Sequence, residues 1–199
     1  MPKVVDHAAR RAELAEAVWR VIDRDGVDAV SIRSVAAEAG WSSGALRHYF
    51  ATRAELLAFA CEQVVERVAA RIGGRGGTGA PREAVRAILL ETMPVDAART
   101  TEAAVAFAFL ALGRGDPALA RVQRAHFDGM AGLCRDLVEG LGAAGLLAAD
   151  AAPPGVLAGR LHALVDGLSV QCLAGHLEPD EMTGRLDAYL AEIIPEPAP

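Results

Sequence analysis

Apolar residues recur along this chain at the three- and four-residue spacing of an α-helix, and no stretch alternates apolar and polar residues like a half-buried strand. Leu14, Val18 and Val21 form the first such stripe, which predicts a helix over about residues 8–24. The same spacing, interrupted by glycine and proline, predicts further helices over about residues 32–39, 42–49, 53–72, 82–93, 98–112, 116–141, 154–177 and 179–194. The pattern therefore predicts an all-α fold.

Residues with special capping or backbone properties lie at several of these helix boundaries. Ser31 and Ser42 precede the second and third helices, where a hydroxyl can accept a hydrogen bond from an unpaired N–H of the first turn. Gly40 separates these two helices and permits a left-handed backbone conformation that a Cβ disfavours. Asp116-Pro117 combines a capping side chain with a proline at the first helical position. These signals predict sharply defined helix starts.

A glycine-rich segment divides the helical pattern into two parts. Residues 73–81 read GGRGGTGAP, a composition typical of a flexible linker. Residues 74–79 also match the spacing of a dinucleotide-binding loop, but they follow a predicted helix where that loop follows a strand. We therefore expect a linker between two helical parts and no bound cofactor.

Charge is unevenly distributed along the 199 residues, whose net charge is −6. Residues 1–53 hold eight Lys or Arg against seven Asp or Glu, whereas the rest hold twelve against nineteen. Phosphate contacts act over short distances because salt screens longer ones, so a local basic face is enough to bind nucleic acid. The acidic total therefore does not exclude DNA as a partner of the N-terminal part.

Several other features bear on the location of the protein. No apolar run approaches the roughly 20 residues that span a bilayer, and the first residues lack the apolar stretch of a signal peptide. The cysteines, Cys61, Cys134 and Cys172, are odd in number and far apart, so they do not suggest a disulfide framework. We expect a cytoplasmic protein that does not associate with a membrane.

Residues 31–50 satisfy the steric requirements of a helix-turn-helix. Ala36 is small where two helices would cross closely, and Gly40 suits the turn between them. Trp41, Leu46 and Tyr49 supply apolar groups where the helices would meet. The third helix would then direct its polar face outwards, where a major groove of DNA can accept it.

This segment resembles the signature of the TetR family of transcription regulators. The resemblance rests on SIRSVA at residues 31–36 and AGWSSGALRHYF at residues 39–50, and it extends over about residues 8–68. Arg47 and His48 stand where many members carry two aromatic residues, and Arg53 replaces a common lysine. These departures keep or add positive charge, and they leave the preferred DNA sequence open.

The resemblance implies a helix-turn-helix DNA-binding domain over residues 8–68 and a ligand-binding and dimerisation domain over residues 82–194. Arg47 is the candidate for reading guanine and the Ala45 methyl for touching a thymine methyl, while His48, Tyr49 and Arg53 are the candidates for binding backbone phosphates. The implied DNA-binding residues are Ser31, Arg33, Ser42, Ser43, Gly44, Ala45, Arg47, His48, Tyr49 and Arg53. Taken singly, Ser42 is equally well a helix cap, Tyr49 a core residue and Arg33 a solvated side chain.

Large or soft apolar residues on the middle helices are candidates for an effector pocket. They are Met93, Phe107, Leu110, Phe127, Met130 and Cys134. Polar residues of the helix over 154–177 could orient a ligand: His162, Asp166 and Gln171. Plain core remains the alternative for the apolar set, and mutual pairing across a dimer remains the alternative for the polar set.

The last two predicted helices, over 154–177 and 179–194, would pair with their copies in a homodimer. Leucine and valine make the first of them apolar almost all round, which favours burial against a partner as well as its own domain. ALVDGL at residues 163–168 also resembles the class of betaine-synthesis repressors. A two-fold symmetric dimer would read a near-palindromic operator, and a small-molecule effector would release it.

Two other classes of function remain as alternatives to a repressor. The first is a helical small-molecule-binding protein that keeps the helix-turn-helix only as scaffold. The second, an enzyme, has no supporting catalytic set, so we expect none. Cys172 and His176 lie four residues apart, but no second pair at ligand spacing accompanies them, so we expect no metal site.

Overall fold

The computed structural model describes residues 7–75, 79–112 and 116–195. Across these ranges it contains α-helices and one 3₁₀ turn, Val27–Ala29, and no strand, which confirms the all-α prediction. The helices are α1 (His7–Asp25), α2 (Ile32–Ala39), α3 (Ser43–Arg47), α4 (Arg53–Gly73), α5 (Pro81–Leu90), α6 (Ala97–Leu112), α7 (Pro117–Ala143), α8 (Pro154–Leu173) and α9 (Pro179–Ile193).

The predicted start signals are confirmed. Ser31 and Ser42 are the N-caps of α2 and α3, and each hydroxyl accepts a backbone hydrogen bond from the first turn. Asp116 accepts a bond from the Leu119 amide, 3.4 Å away, and Pro117 opens α7. Of the predicted linker, residues 76–78 lie outside the described part of the chain.

Two predicted helix ends are wrong, both because the chain turns before the apolar spacing stops. α5 ends at Leu90 rather than about residue 93, since the Glu91 and Thr92 amides bond the carbonyls three residues before them. α8 ends at Leu173 rather than about residue 177. There Gly175 adopts φ +69°, and the His176 amide bonds the Gln171 carbonyl at 2.9 Å, which closes the last turn.

The described residues divide into two compact units. The first unit comprises residues 7–66, 104–112 and 116–123. Its core includes the predicted stripe of α1, where Leu14, Val18 and Val21 are wholly buried. Val35 of α2 and Leu46 of α3 are also wholly buried, so both helices turn their opposite faces to solvent. The first unit thus presents the polar face of α3 as the helix-turn-helix pattern predicted.

The second unit comprises residues 67–75, 79–103 and 124–195. One hydrophobic core joins α5, α7, α8 and α9, with Leu89, Cys134, Leu161 and Leu186 all wholly buried. No helix among the described residues is long and apolar enough to cross a membrane.

Helix α8 buries one face in this core and leaves another exposed. Leu161, Val165 and Leu168 lie in the core, whereas Val156 and Val170 are 45% and 43% exposed. The residue type alone does not separate these positions, since all five are leucine or valine. Their placement leaves an apolar face of α8 that the described residues of the chain do not cover.

Candidate functional site

The start of α2 is held by a reciprocal pair of serines. The Ser31 hydroxyl accepts from the Ser34 amide at 3.0 Å, and the Ser34 hydroxyl accepts from the Ser31 amide at 2.9 Å. This capping box satisfies two N–H groups that a helix start would otherwise leave unpaired. The Ser31 hydroxyl, a predicted DNA ligand, is therefore engaged in the cap, while Arg33 two residues later is exposed.

The turn between α2 and α3 depends on Gly40. Its backbone lies at φ +70° and ψ +24°, in the left-handed region where a side chain is strained. The Trp41 amide then bonds the Ala36 carbonyl at 2.8 Å. The turn ends α2 at its C-cap, Gly40, and α3 begins three residues later at Ser43.

Helix α3 and its two capping residues expose six of the ten residues that the sequence predicted to contact DNA. Leu46 is wholly buried and anchors the helix, while the Ser42 hydroxyl accepts from the Ala45 amide at 3.1 Å. The residues that face solvent form what we call the recognition surface: Ser42, Ser43, Gly44, Ala45, Arg47 and His48. Hydroxyls, an arginine and small residues on a narrow exposed helix suit the major groove, because they combine hydrogen-bond donors with close approach.

Ser42→Ala is expected to lower the free energy of unfolding by about 1 kcal/mol, because it removes the cap of α3. Ser43→Ala is the matched control, since Ser43 is exposed and its neighbour Ser42 makes the cap bond. Urea denaturation of both variants measures the difference. Equal stability of the two variants would contradict a capping role for Ser42.

Trp41 connects the recognition surface to α1. Its ring meets the half-buried Tyr49 edge to face, with centroids 5.4 Å apart, and its Nε1 donates to Glu13 at 3.2 Å. The Arg10 guanidinium lies 5.1 Å from the Trp41 ring centre. Hydrogen bonds from Arg10 and Trp41 hold the pKa of Glu13 below its ordinary value. The sequence indicated the apolar contacts of Trp41 but carried no signal for Arg10 and Glu13.

Arg53 lies at the start of α4, and its guanidinium is bonded to backbone carbonyls. Its Nε donates to the Val30 carbonyl at 2.8 Å, and its Nη2 donates to the Val27 carbonyl at 3.1 Å. A contact between Arg53 and a DNA phosphate, as implied by the resemblance, stays a prediction.

The predicted effector residues fall in different parts of the chain. Met93, Met130 and Cys134 belong to the core of the second unit, and burial raises the pKa of the Cys134 thiol to about 12. Phe107 belongs to the first unit, and the side chain of Leu110 lies outside the described residues. The structure therefore gathers three of the six apolar candidates into one core.

Two of the polar candidates of α8, His162 and Asp166, lie against each other, and His162 also lies near an aromatic ring. His162 Nε2 lies 3.1 Å from Asp166 Oδ2, although the ring N–H does not point along that line. Burial raises the pKa of Asp166, and His162 opposes that rise. The Phe127 ring centre lies 6.1 Å from that of His162. A half-buried carboxylate, an imidazole and a ring edge could together orient a polar ligand.

Gln171 and the Cys172–His176 spacing belong to the end of α8. Gln171 is half-buried, and its carbonyl accepts the amides of His176 and Leu177. Because α8 ends at Leu173, Cys172 and His176 do not share a helical face. Among the described residues, no group of three or more His, Cys, Asp or Glu side chains could hold a metal ion.

A buried charge network is the main feature that the sequence did not reveal. Glu91 is only 2% exposed and accepts from Arg71 Nε at 2.7 Å, Arg75 Nε at 2.9 Å and Arg99 Nη2 at 2.7 Å. Arg71 also donates to Glu102 at 2.9 Å. Burial raises the pKa of Glu91, but the hydrogen bonds from the three arginines outweigh burial and lower it to about 2. The network joins the last turn of α4 to the connection between α5 and α6.

Two family models match the chain. The model described as bacterial regulatory proteins of the tetR family matches residues 14–59, and the model of the C-terminal part of BetI-type transcriptional repressors matches residues 81–195. The first match contains α2, α3 and the turn between them, and the second contains α5 to α9. Together they cover the recognition surface and the core of the second unit.

Several known proteins are similar to this chain over most of their length. The chain is 42% identical over 174 residues to the HTH-type transcriptional regulator PksA of Bacillus subtilis, covering 87% of this chain and 83% of PksA. A crystal structure of a transcriptional regulator from Rhodococcus sp. Rha1 is 29% identical, with a TM-score of 0.76 and coverage of 92% and 95%. The multidrug binding protein EbrR, complexed with imidazole, is 25% identical, with a TM-score of 0.65 and coverage of 95% and 97%.

Proposed function

The chain belongs to the TetR family of bacterial regulatory proteins, with a C-terminal part of the BetI type, and from this premise we propose that it is a dimeric repressor that a small-molecule effector releases from DNA. The helix-turn-helix over residues 31–50, within residues 8–68, would bind the operator. Residues 82–194 would hold the effector and the partner subunit.

The observation that carries this proposal is the recognition surface. Its residues are exposed on a capped helix whose inner side is fixed by the wholly buried Leu46. Gly44 and Ala45 permit close approach to the groove floor, and a Cβ built on Gly44 would meet only the Ser42 hydroxyl, at 3.9 Å. A protein that kept the motif as scaffold would have no need for this exposed set of donors and small residues.

The exposed face of α8 supports dimerisation. An outer stripe at helical spacing consists of Val156, Arg160, Ala163, Gly167, Val170 and Ala174, of which all but the half-buried Gly167 are exposed. Small residues in such a row let a second helix approach closely, and the valines gain by burial. A two-fold axis beside this stripe would pair α8 with its copy, with α9 adjacent.

Val170→Asp is expected to weaken the dimer about tenfold or more, because symmetry places two unpaired carboxylates in the interface. Val65→Asp is the matched control, since Val65 lies on α4 and is 53% exposed. Light scattering over a range of concentrations would report a mass between one and two chains of 20.7 kDa. A Val170→Asp protein that stays as dimeric as the control would place the interface elsewhere.

The effector would bind among the helices of the second unit. Phe127, His162 and Asp166 offer a ring and two polar groups in one place, next to the buried Cys134. By linkage, a ligand that binds the DNA-free arrangement more tightly must lower the affinity for the operator. The structure of the multidrug binding protein EbrR complexed with imidazole, which is 25% identical to this chain, supports a small-molecule ligand.

A gel shift tests the DNA-binding part of this proposal. The purified protein is titrated against the intergenic DNA upstream of its own gene, at a stated salt concentration and with competitor DNA. A saturable shift of a near-palindromic fragment is the expected result. Weak, salt-sensitive binding to every fragment tested, including those from a genome-wide pull-down, would instead favour the scaffold alternative.

The same fragment tests the effector. Candidate small molecules are added to the protein–DNA complex, and compounds that bind the free protein should lower its affinity for the fragment. A compound that saturates the second unit and leaves that affinity unchanged would not be the effector.

A further inference from the structure

Side chains from other elements bond three carbonyls of the connection between α1 and α2. Arg53 donates to the carbonyls of Val27 and Val30, and the Ser34 hydroxyl donates to the carbonyl of Ala29 at 2.7 Å. The donors come from the first turns of α4 and α2. The connection is therefore tied to both helices by side chains.

The hydrogen bonds from Arg53 satisfy a buried backbone carbonyl. Val30 is wholly buried, and a buried carbonyl without a donor is costly. The planar guanidinium can donate in parallel to two carbonyls, which the single ammonium of lysine does not reproduce. The Arg53 side chain is 36% exposed, so most of it is packed against the protein while part of it still meets water.

The connection between α1 and α2 is followed in the chain by the helices that are proposed to face DNA. Ser31 follows Val30 and caps α2, and Arg33 is exposed in the first turn of that helix. Arg53 itself begins α4, six residues after the end of α3. Its two hydrogen bonds thus fix the start of α2 against the start of α4, with α3 lying between them in the chain.

We propose that Arg53 is a positioning residue, which holds α2 and α3 in the arrangement that fits DNA and does not act as a phosphate ligand. This inference rests on the proposed function, because it concerns how the operator is bound. It assigns Arg53 a role different from that of the exposed residues of the recognition surface.

Salt dependence separates the two roles. Removing a single phosphate contact makes the slope of log K against log salt concentration shallower by about 0.9. The probe is the upstream fragment that gives a saturable shift, titrated at a temperature at which every variant is fully folded. Arg53→Ala removes both the hydrogen bonds to the Val27 and Val30 carbonyls and the positive charge. Arg53→Lys removes the paired hydrogen bonds but keeps the charge. Arg11→Ala is the control for charge, since Arg11 pairs with the Glu62 carboxylate.

We expect both Arg53 variants to bind the fragment roughly fivefold more weakly with an unchanged salt slope. In the DNA-free protein, amide exchange at Val30, Ser34 and Val35 should accelerate in both Arg53 variants and not in Arg11→Ala. Recovery of affinity by Arg53→Lys, a shallower salt slope, or unchanged exchange at these amides would overturn the proposal.

The exchange measurement also separates this inference from the proposed function. If the unsubstituted protein binds no DNA, the proposed function fails. The rate of amide exchange at Val30, Ser34 and Val35 in the Arg53 variants then still shows whether Arg53 holds the α1–α2 connection in place.

Discussion

Glu91→Gln should lower the free energy of unfolding by about 3 kcal/mol at neutral pH. This is the largest loss of stability that we expect when one side chain is replaced by another of nearly the same shape. The amide keeps the volume of the side chain but removes the charge that three arginines share. Removing one partner of a buried ion pair typically costs about 3–5 kcal/mol, because the remaining charges stay desolvated. Arg71, Arg75 and Arg99 are 31%, 43% and 22% exposed, so water relieves part of that cost.

The Arg86–Asp187 pair provides the matched control. Its side chains are 39% and 44% exposed, and Arg86 Nε lies 2.5 Å from Asp187 Oδ1. Asp187→Asn should therefore lower stability by less than about 1 kcal/mol, as for exposed ion pairs in general. Urea denaturation at one protein concentration compares the two, because dimerisation would make stability concentration-dependent. Equal decreases in both variants would mean that the Glu91 network contributes little.

The Glu91 network should also make the stability of the protein depend on pH in acid. The pKa of Glu91 is lowered to about 2 from an ordinary value of 4.5. The folded state therefore binds this proton less readily than the unfolded state. The stability from Glu91 is present above pH 4.5 and is lost as the pH falls from there towards 2. Glu91→Gln should flatten this part of the stability–pH curve, and a curve that stays as steep as before would assign the acid sensitivity to other carboxylates.

Local signals in the sequence account for the parts of the fold that were predicted well. Ser31, Gly40 and Ser42 act through their own backbone and their nearest neighbours, so their roles follow from the residue type and its place in the pattern. The side of α3 that faces solvent was predictable for the same reason, because the helix follows a cap and the buried Leu46 fixes which side faces inwards. The DNA contacts assigned to that side were implied by the resemblance.

Features that depend on distant neighbours were not predictable in this way. Glu91 lies in a segment predicted as helix, and nothing in its local sequence indicates that Arg71, 20 positions earlier, donates to it. Arg53 was assigned to phosphate by resemblance, whereas its bonds to Val27 and Val30 depend on how α4 meets the α1–α2 connection. Leucines and valines of α8 likewise divide into buried and exposed sets only once the core is assembled.

Arg47→Ala is expected to lower the affinity for the operator roughly 10- to 100-fold, since a bidentate contact with guanine supplies about 1–3 kcal/mol of discrimination. Arg47 is exposed at the last position of α3, so its removal should leave folding and dimerisation unchanged. The measurement is the equilibrium constant for the saturably shifted fragment and for copies with single base-pair changes. The variant should lose its preference at one position of each half-site and keep it at the others.

Two further variants distinguish base reading from simple attraction to the DNA backbone. Arg47→Lys keeps the charge but not the planar fork, so it should retain non-specific affinity and still lose discrimination at that position. His48→Ala removes a predicted phosphate contact and should weaken binding to all the fragments by the same factor. If Arg47→Ala also weakens all fragments equally, Arg47 binds phosphate, and the sequence preference must come from another exposed residue, such as Ala45 or Arg33, or from the shape of the DNA. If it changes no affinity at all, Arg47 lies outside the interface, and α3 enters the groove through its first turn alone.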